Sequence, residues 1–148
     1  MEAKVSKLSI INYHIIHSEF SVNLPDNSDD KHNHKNYPLD IDFEIIGKSK
    51  TRYSIFVVLN INVSETPLMG YSISVIGEGV FELKTNKTNQ EYQINSLLYS
   101  ALPIMIGNLR GYISDLTSYG ALGKYLFPSI DLEHLIDLKR KEKKEVEK

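Results

Sequence analysis

Residues Asn95–Phe127, NSLLYSALPIMIGNLRGYISDLTSYGALGKYLF, hold the longest helical signal in the chain. Leu98, Leu102, Met105, Leu109, Tyr112, Leu116 and Tyr119 recur at alternating steps of four and three, which lays one apolar seam along a helix. Leu97, Ala101, Ile104, Ile106 and Ile113 form a second set outside that seam. One sheet covers one stripe, so the spacing predicts a helix over Asn95–Tyr119 that lies on its own sheet and meets another subunit's helix behind. Asn95 or Ser96 is the expected N-cap, and Gly120 the expected left-handed C-cap. Pro103 lacks a backbone donor, which predicts a kink or a broken first turn. Gly107 and Gly111, four apart, open a smooth strip where another backbone can approach.

Upstream of this stretch the periodicity changes from helical to alternating. Val5–Asn23 reads as one long strand with a bulge near Ile15-Ile16. Pro25–Asn36 (PDNSDDKHNHKN) is polar and aperiodic, and reads as an exposed loop. In Tyr37–Ile46, Leu39, Ile41, Phe43 and Ile45 point one way, and Asp40, Asp42 and Glu44 the other. Arg52–Ser64 and Tyr71–Thr85 are the third and fourth strands, with Gly77 and Gly79 marking a bulge or a close backbone approach. Short connections between such strands predict antiparallel pairing. Asn86–Gln93 reads as a polar linker. Downstream of the helix, Ala121–Pro128 is an apolar linker, and Asp131 caps a short amphipathic helix bearing Leu132, Leu135, Ile136 and Leu138. The predicted class is α+β: a four-stranded antiparallel sheet, then a long helix, an extended linker and a short C-terminal helix. Residues 1–138 form one domain, and 139–148 a basic, disordered tail.

The 148 residues suffice for one domain with a real core, and the composition (41% hydrophobic, 24% charged) is that of an ordinary globular chain. There is no cysteine, which excludes disulfides, thiolate chemistry and cysteine-ligated zinc. The N-terminal MEAKVSKLSI does not read as a signal peptide. Asn108, Arg110 and Asp115 argue against insertion of the long helix into a membrane, so a cytoplasmic location is expected. Residues 139–148 carry six basic and three acidic side chains, a local +3, which leaves −5 on the remainder of a chain whose total is −2. An acidic body with a short basic tail does not favour nucleic acid as a partner.

No catalytic constellation emerges, and neither a metal nor a cofactor is expected. His14 and His17, three apart in a strand, should face opposite sides and share no ligand. His32 and His34 lie in the polar loop without a fixed third ligand. Asp40, Asp42 and Glu44 form an acidic, solvent-facing stripe with partner docking as its functional reading. The Gly77-Glu78-Gly79 string neither carries a third glycine nor opens a helix, so it is not a dinucleotide loop. What stands out is apolar sequence in a connection. Leu122, Tyr125, Leu126 and Phe127, with one face of the terminal helix, either fold onto the core or wall an open groove for extended apolar segments.

Local strings add a family resemblance. Gly79-Val80-Phe81 closes the fourth strand, and Arg110 is followed ten residues later by Gly120. Phe127-Pro128 precedes Asp131-Leu132-Glu133 and Leu135, and Pro38 opens an alternating strand. In this order, over roughly Leu8 to Ile136, they resemble the SecB family of export chaperones. That resemblance implies a homotetramer, a dimer of dimers, with Ile104, Gly107 and Gly111 at the helix interface. It implies ATP-independent holding of unfolded polypeptide in surface grooves lined by Leu39, Ile41, Phe43, Tyr125, Leu126, Phe127, Leu132 and Leu135. Clients would be unfolded preproteins, or the antitoxin of a toxin–antitoxin system. Export members dock the SecA ATPase through an acidic sheet face. Glu19 matches one such position, and Asp40, Asp42 and Glu44 extend the acidic surface. Asn23 and Ser74 replace two other acids, however, and the tail is basic. A non-catalytic oligomeric adaptor that binds one folded partner is the competing class, and an enzyme ranks last. If Phe127 walls an open groove, Phe127→Asp should weaken client binding and leave the thermal midpoint nearly unchanged.

Overall fold

The computed structural model describes residues 1–24, 36–85 and 89–146. The expected loop at 25–35, with His32 and His34, lies outside them. Four strands form one antiparallel sheet: β1 (Leu8–Asn23), β2 (Leu39–Gly47), β3 (Arg52–Ile61) and β4 (Gly70–Leu83), in the order β1-β4-β3-β2. Strands β2, β3 and β4 are joined in sequence by short turns, whereas β1 sits at the far edge beside β4. Alternation decides the faces. Ile55, Val57, Leu59 and Ile61 on β3, with Tyr71, Ile73, Val75 and Phe81 on β4, are buried on the side that carries the helices.

Strand β1 slips register against β4 twice, between Ile10 and Asn12 and between Ile15 and His17. The second slip is the bulge expected at Ile15-Ile16, and it corrects one expectation. One extra residue restores the face, so three residues of separation act as two. His14 lies opposite Glu78 and His17 opposite Ile76, both on the outer side of the sheet. The two histidines therefore share a face. His14 Nε2 lies 2.9 Å from Glu78 Oε2, and His17 Nε2 lies 3.5 Å from Glu19 Oε1.

The helical run starts earlier than its cap signals suggest. Helix α1 spans Gln90–Ser96 and is capped by Asn89, whose side chain accepts from the Glu91 amide at 2.9 Å. Ser96 donates back to the Tyr92 carbonyl at 2.8 Å, as serine does inside a helix, and caps nothing. A π-helical turn over Leu97–Ala101 follows, closed by the Leu102 amide on the Leu97 carbonyl. Helix α2 then runs Leu102–Ser118 with Pro103 in its first turn. The irregularity expected from Pro103 thus takes the form of a π turn just before it, where the missing donor interrupts the regular ladder.

Helix α2 crosses β4 closely. A Cβ on Gly77 would lie 3.1 Å from Leu109 Cδ2, and one on Gly79 would lie 2.2 Å from Met105 Sδ. These glycines mark a close backbone approach, one of the two readings of the sequence. Of the predicted seam, Leu98, Leu102, Met105 and Leu109 are buried, and Tyr112 and Leu116 half-buried. Tyr119, at the C-terminal end of α2, is 96% exposed. The second apolar set changes meaning. Leu97, Ala101, Ile106 and Ile113 are also buried within this chain, and Ile104 stays exposed. At Ile106 the neighbour is the chain's own C-terminal segment: Ile106 shares a cavity of about 140 Å³ with Ile130 and Leu132.

Gly120 is not the left-handed cap expected of it: positive φ occurs at Gly70 and Gly123 among the described glycines. The constraint at Gly120 is contact, because a Cβ there would meet Tyr71 Oη at 2.4 Å. Asp131 does cap helix α3, accepting from the His134 amide at 3.0 Å. Helix α3 runs Leu132–Val146, so the expectation of a disordered tail from residue 139 is corrected through Val146. Lys, Arg and Glu are good helix formers, and the i,i+3 pairs Lys139–Glu142 and Asp137–Arg140 add local support.

Because Gly79 sits under Met105 and Phe81, Gly79→Val should overpack the sheet–helix interface and cost about 1–3 kcal/mol. Urea denaturation should show the midpoint falling; an unchanged midpoint would mean that α2 does not bear on β4 there.

Candidate functional site

The apolar linker after α2 is fastened to the body at three points. Tyr71 Oη accepts from the Leu122 amide at 2.9 Å and donates to the Gly123 carbonyl at 2.7 Å. Thr117 Oγ1 accepts from the Tyr125 amide at 2.9 Å and donates to the Ile113 carbonyl at 2.7 Å. Arg110 donates through Nε to the Phe127 carbonyl and through Nη2 to the Pro128 carbonyl, each at 3.1 Å. Its guanidinium lies 5.7 Å from the Phe127 ring centroid. Tyr37 joins from the start of β2: its hydroxyl accepts from the Tyr71 amide at 2.9 Å, and its ring lies 5.5 Å from that of Tyr125. Burial, reinforced by the Tyr37 hydroxyl, pushes the Tyr125 phenol up to about 12.

This fastening decides which linker side chains are available. In an extended segment neighbours point to opposite sides. Tyr125 and Phe127 turn inward and are each 3% exposed, whereas Leu126 between them is 72% exposed. The expected open wall is therefore corrected at Tyr125 and Phe127, which belong to the core. Phe43 is buried as well, Leu39 is exposed, and Ile41, Leu132 and Leu135 are half-buried.

An open apolar cavity of about 490 Å³ lies between β2, β3, α1 and α3. Phe43, Ile45 and Tyr53 line it from the sheet, Ile94 and Leu97 from the helical run, and Ile136 from α3, with Lys139 and Arg140 also in its lining. Phe43 is the one predicted groove residue in this lining. Ile45 was legible, since it shares the alternation of Leu39, Ile41 and Phe43. Ile94 was hidden by the polar reading of 86–93, which masked α1. Lys139 and Arg140 were hidden by the expectation of a disordered tail.

Helix α3 is held at the edge strand by charge. Lys139 Nζ binds the Asp42 carboxylate and lies 3.6 Å from Glu142 Oε2. The hydrogen bond to Asp42, followed by the nearby carboxylates, raises the Lys139 pKa against the opposing effect of burial. Asp42 is thus engaged inside the chain.

The other acids lie on the outer face of the sheet. Register sets Glu19, Ser74, Asn60 and Asp40 in one row across all four strands. Ser74 donates to Asn60 Oδ1 at 2.7 Å, and Asn60 Nδ2 to Asp40 at 3.4 Å. Glu19 on β1 and Asp40, Asp42 and Glu44 on β2 therefore occupy opposite edges of one face. Phe56, Val58, Ile76 and Val80 lie half-buried between them. On α2, Ile104 is 40% exposed, and a Cβ on Gly107 or Gly111 would meet nothing within 4 Å. Those three residues share an open helix face. Among the described residues, no group of three or more His, Asp or Glu is placed to hold a metal ion. No described helix is long and apolar enough to cross a membrane.

Among solved structures, this arrangement is similar to a Mycobacterium tuberculosis SecB-like chaperone in complex with a ChAD peptide from the HigA1 antitoxin. The match has a TM-score of 0.59 at 11% identity and covers 84% of this chain and 91% of that one. The fold is SecB-like. A protein of unknown function from Streptococcus agalactiae is also similar, with a TM-score of 0.45 at 9% identity over 86% of this chain and 100% of that chain. No protein-family model and no curated protein matches the sequence. The SecB-like fold accounts for the element order that the sequence resemblance implied, from the antiparallel sheet through the long helix to the C-terminal helix.

The burial of Phe127 reverses the effect of a charge there. Phe127→Asp should cost about 3–5 kcal/mol and lower the thermal midpoint sharply, whereas Leu126→Asp should leave it nearly unchanged. Thermal unfolding of the two variants side by side checks this. Equal midpoints would mean that the linker is not fastened as described.

Proposed function

We propose that this chain is a chaperone of the SecB type, which holds non-native polypeptide segments without nucleotide. The observation that carries the reading is the apolar cavity between β2, β3, α1 and α3, open to solvent within a SecB-like fold. An extended segment laid there gains about 25 cal/mol for each Å² of apolar surface removed from water. Many such weak contacts read hydrophobicity and little else. The exposed side chains of the original groove set, Leu39 and Leu126, and the half-buried Ile41, Leu132 and Leu135 would extend the holding surface beyond the cavity. Phe43 contributes to the cavity floor. Tyr125 and Phe127 belong to the core.

The chaperone of similar fold carries an antitoxin-derived peptide, which favours antitoxin-like clients over unfolded preproteins bound for export. A cytoplasmic location suits either client. We place self-association on the open α2 face of Ile104, Gly107 and Gly111, giving a tetramer built as a dimer of dimers. The outer sheet face, with Glu19, Asp40 and Glu44 about an apolar centre, is the proposed docking surface for a folded partner. SecA is the partner that the sequence resemblance names for it. Asp42 contributes less there, because Lys139 already neutralises it.

Added at near-stoichiometric ratios without nucleotide, the protein should suppress aggregation of several unrelated unfolded proteins in light scattering. Protection of none of them would sink the chaperone reading and leave the adaptor. Gly111→Leu should shift the assembly from tetramer toward dimer in size-exclusion chromatography with light scattering. Among the described residues a Cβ at Gly111 meets nothing within 4 Å, so a variant that remains tetrameric would remove α2 from the interface.

A further inference from the structure

We infer that the holding cavity selects apolar segments that carry an acidic side chain, and that Arg140 is the residue that reads the charge. The inference rests on the chaperone reading above and adds the chemical class of the client segment. A second cavity of about 690 Å³ opens between α1 and α3, lined in part by Ile94, Tyr99 and Arg140. It shares Gln90, Ile94 and Arg140 with the apolar cavity below. A segment passing from one to the other passes the guanidinium.

The charges around the two cavities are unequal in availability. Lys139 is already bound to Asp42 and flanked by Glu142. Glu91 lines the upper cavity alone, and it sits in the first turn of α1, where a carboxylate meets the positive end of the helix. Arg140 is half-exposed, and its ion pair is with Asp137 at 3.7 Å, an i,i+3 contact on the same helix. Exposed pairs of that kind contribute little and exchange readily. A guanidinium presents a planar fork that a carboxylate can engage through two hydrogen bonds. The apolar cavity thus has Lys139 and Arg140, and no acid, among its described lining residues, although residues 1–138 carry net negative charge. An apolar segment with an Asp or Glu beside its anchor complements both features. A Lys at the same place meets like charge.

The test uses the full chain and labelled peptides cut from a client that it protects from aggregation. One apolar segment is made in three forms, with a single Glu, Gln or Lys at the same position, and binding is read by fluorescence anisotropy. At low salt the Glu form should bind about three- to fivefold more tightly than the Lys form. High salt should shrink the difference. Arg140→Gln should abolish the preference while holding the Gln form within about twofold of wild type, and Arg140→Lys should keep part of the preference. Equal affinity of the Glu and Lys forms, or a preference that survives Arg140→Gln, would overturn the inference and leave the chaperone reading intact. Failure of all three forms to bind while clients are still protected would move the holding surface away from these cavities, and the inference would fall with it. Circular dichroism of Arg140→Gln keeps a folding defect from being mistaken for loss of preference.

Discussion

One phenol hydroxyl ties together the parts that make this surface. Tyr71 projects from β4 toward the end of α2, and its hydroxyl takes the Leu122 amide and meets the Gly123 carbonyl. Its own amide is bound by the Tyr37 hydroxyl at the start of β2. Sheet, long helix, linker and the approach to the edge strand therefore meet at one residue. Buried backbone groups of a non-repetitive linker need such partners, since no ladder satisfies them. Thr117 and Arg110 extend the fastening along α2, and the linker reaches Asp131 in the position from which α3 starts over the cavity. Without that chain of bonds Ile136 would have no fixed place above Phe43 and Ile45, and the cavity would lose one of its sides.

The linker also shows how one short apolar string serves two purposes. Once its backbone is extended and fixed, alternation sends Tyr125 and Phe127 into the core and Leu126 into solvent. The inward pair gives the linker its stability, and the outward leucine leaves apolar surface exposed to solvent. Electrostatics divides α3 in a similar way. Lys139 is used to hold the helix against Asp42, whereas Arg140, one residue further, faces the open cavities with a weak partner.

Much of the fold was legible because its signals are local. The alternation in Leu39–Ile45, the bulge at Ile15-Ile16, the cap at Asp131 and the seam from Leu98 to Leu109 depend on spacing along the chain. The candidate site was less so. Phe43 was found from alternation, but Ile94 was hidden behind a polar stretch whose helical start depends on one side-chain bond from Asn89. Arg140 was hidden in a charged run that looks solvated until Lys139 meets Asp42 on a strand 97 residues away. Gly120 was read for a backbone conformation it does not adopt; its real constraint is the Tyr71 hydroxyl, which no local pattern shows.

By itself the sequence determined the class and order of the four strands, the long helix and the C-terminal helix, though not α1, because periodicities of two and 3.6 are written in neighbouring residues. It also carried the SecB-like arrangement through the order of its short strings. Only the tertiary structure decided which apolar residues are spent on the core. Tyr125 and Phe127 differ from Leu126 by where Arg110, Thr117 and Tyr71 pin the backbone, and Ile106 lies beside Ile130 and Leu132 of the chain's own C-terminal segment. Likewise, His14 and His17 came to share a face through a register slip against β4. Those outcomes depend on bonds between residues far apart in the chain, and a local pattern contains no term for them.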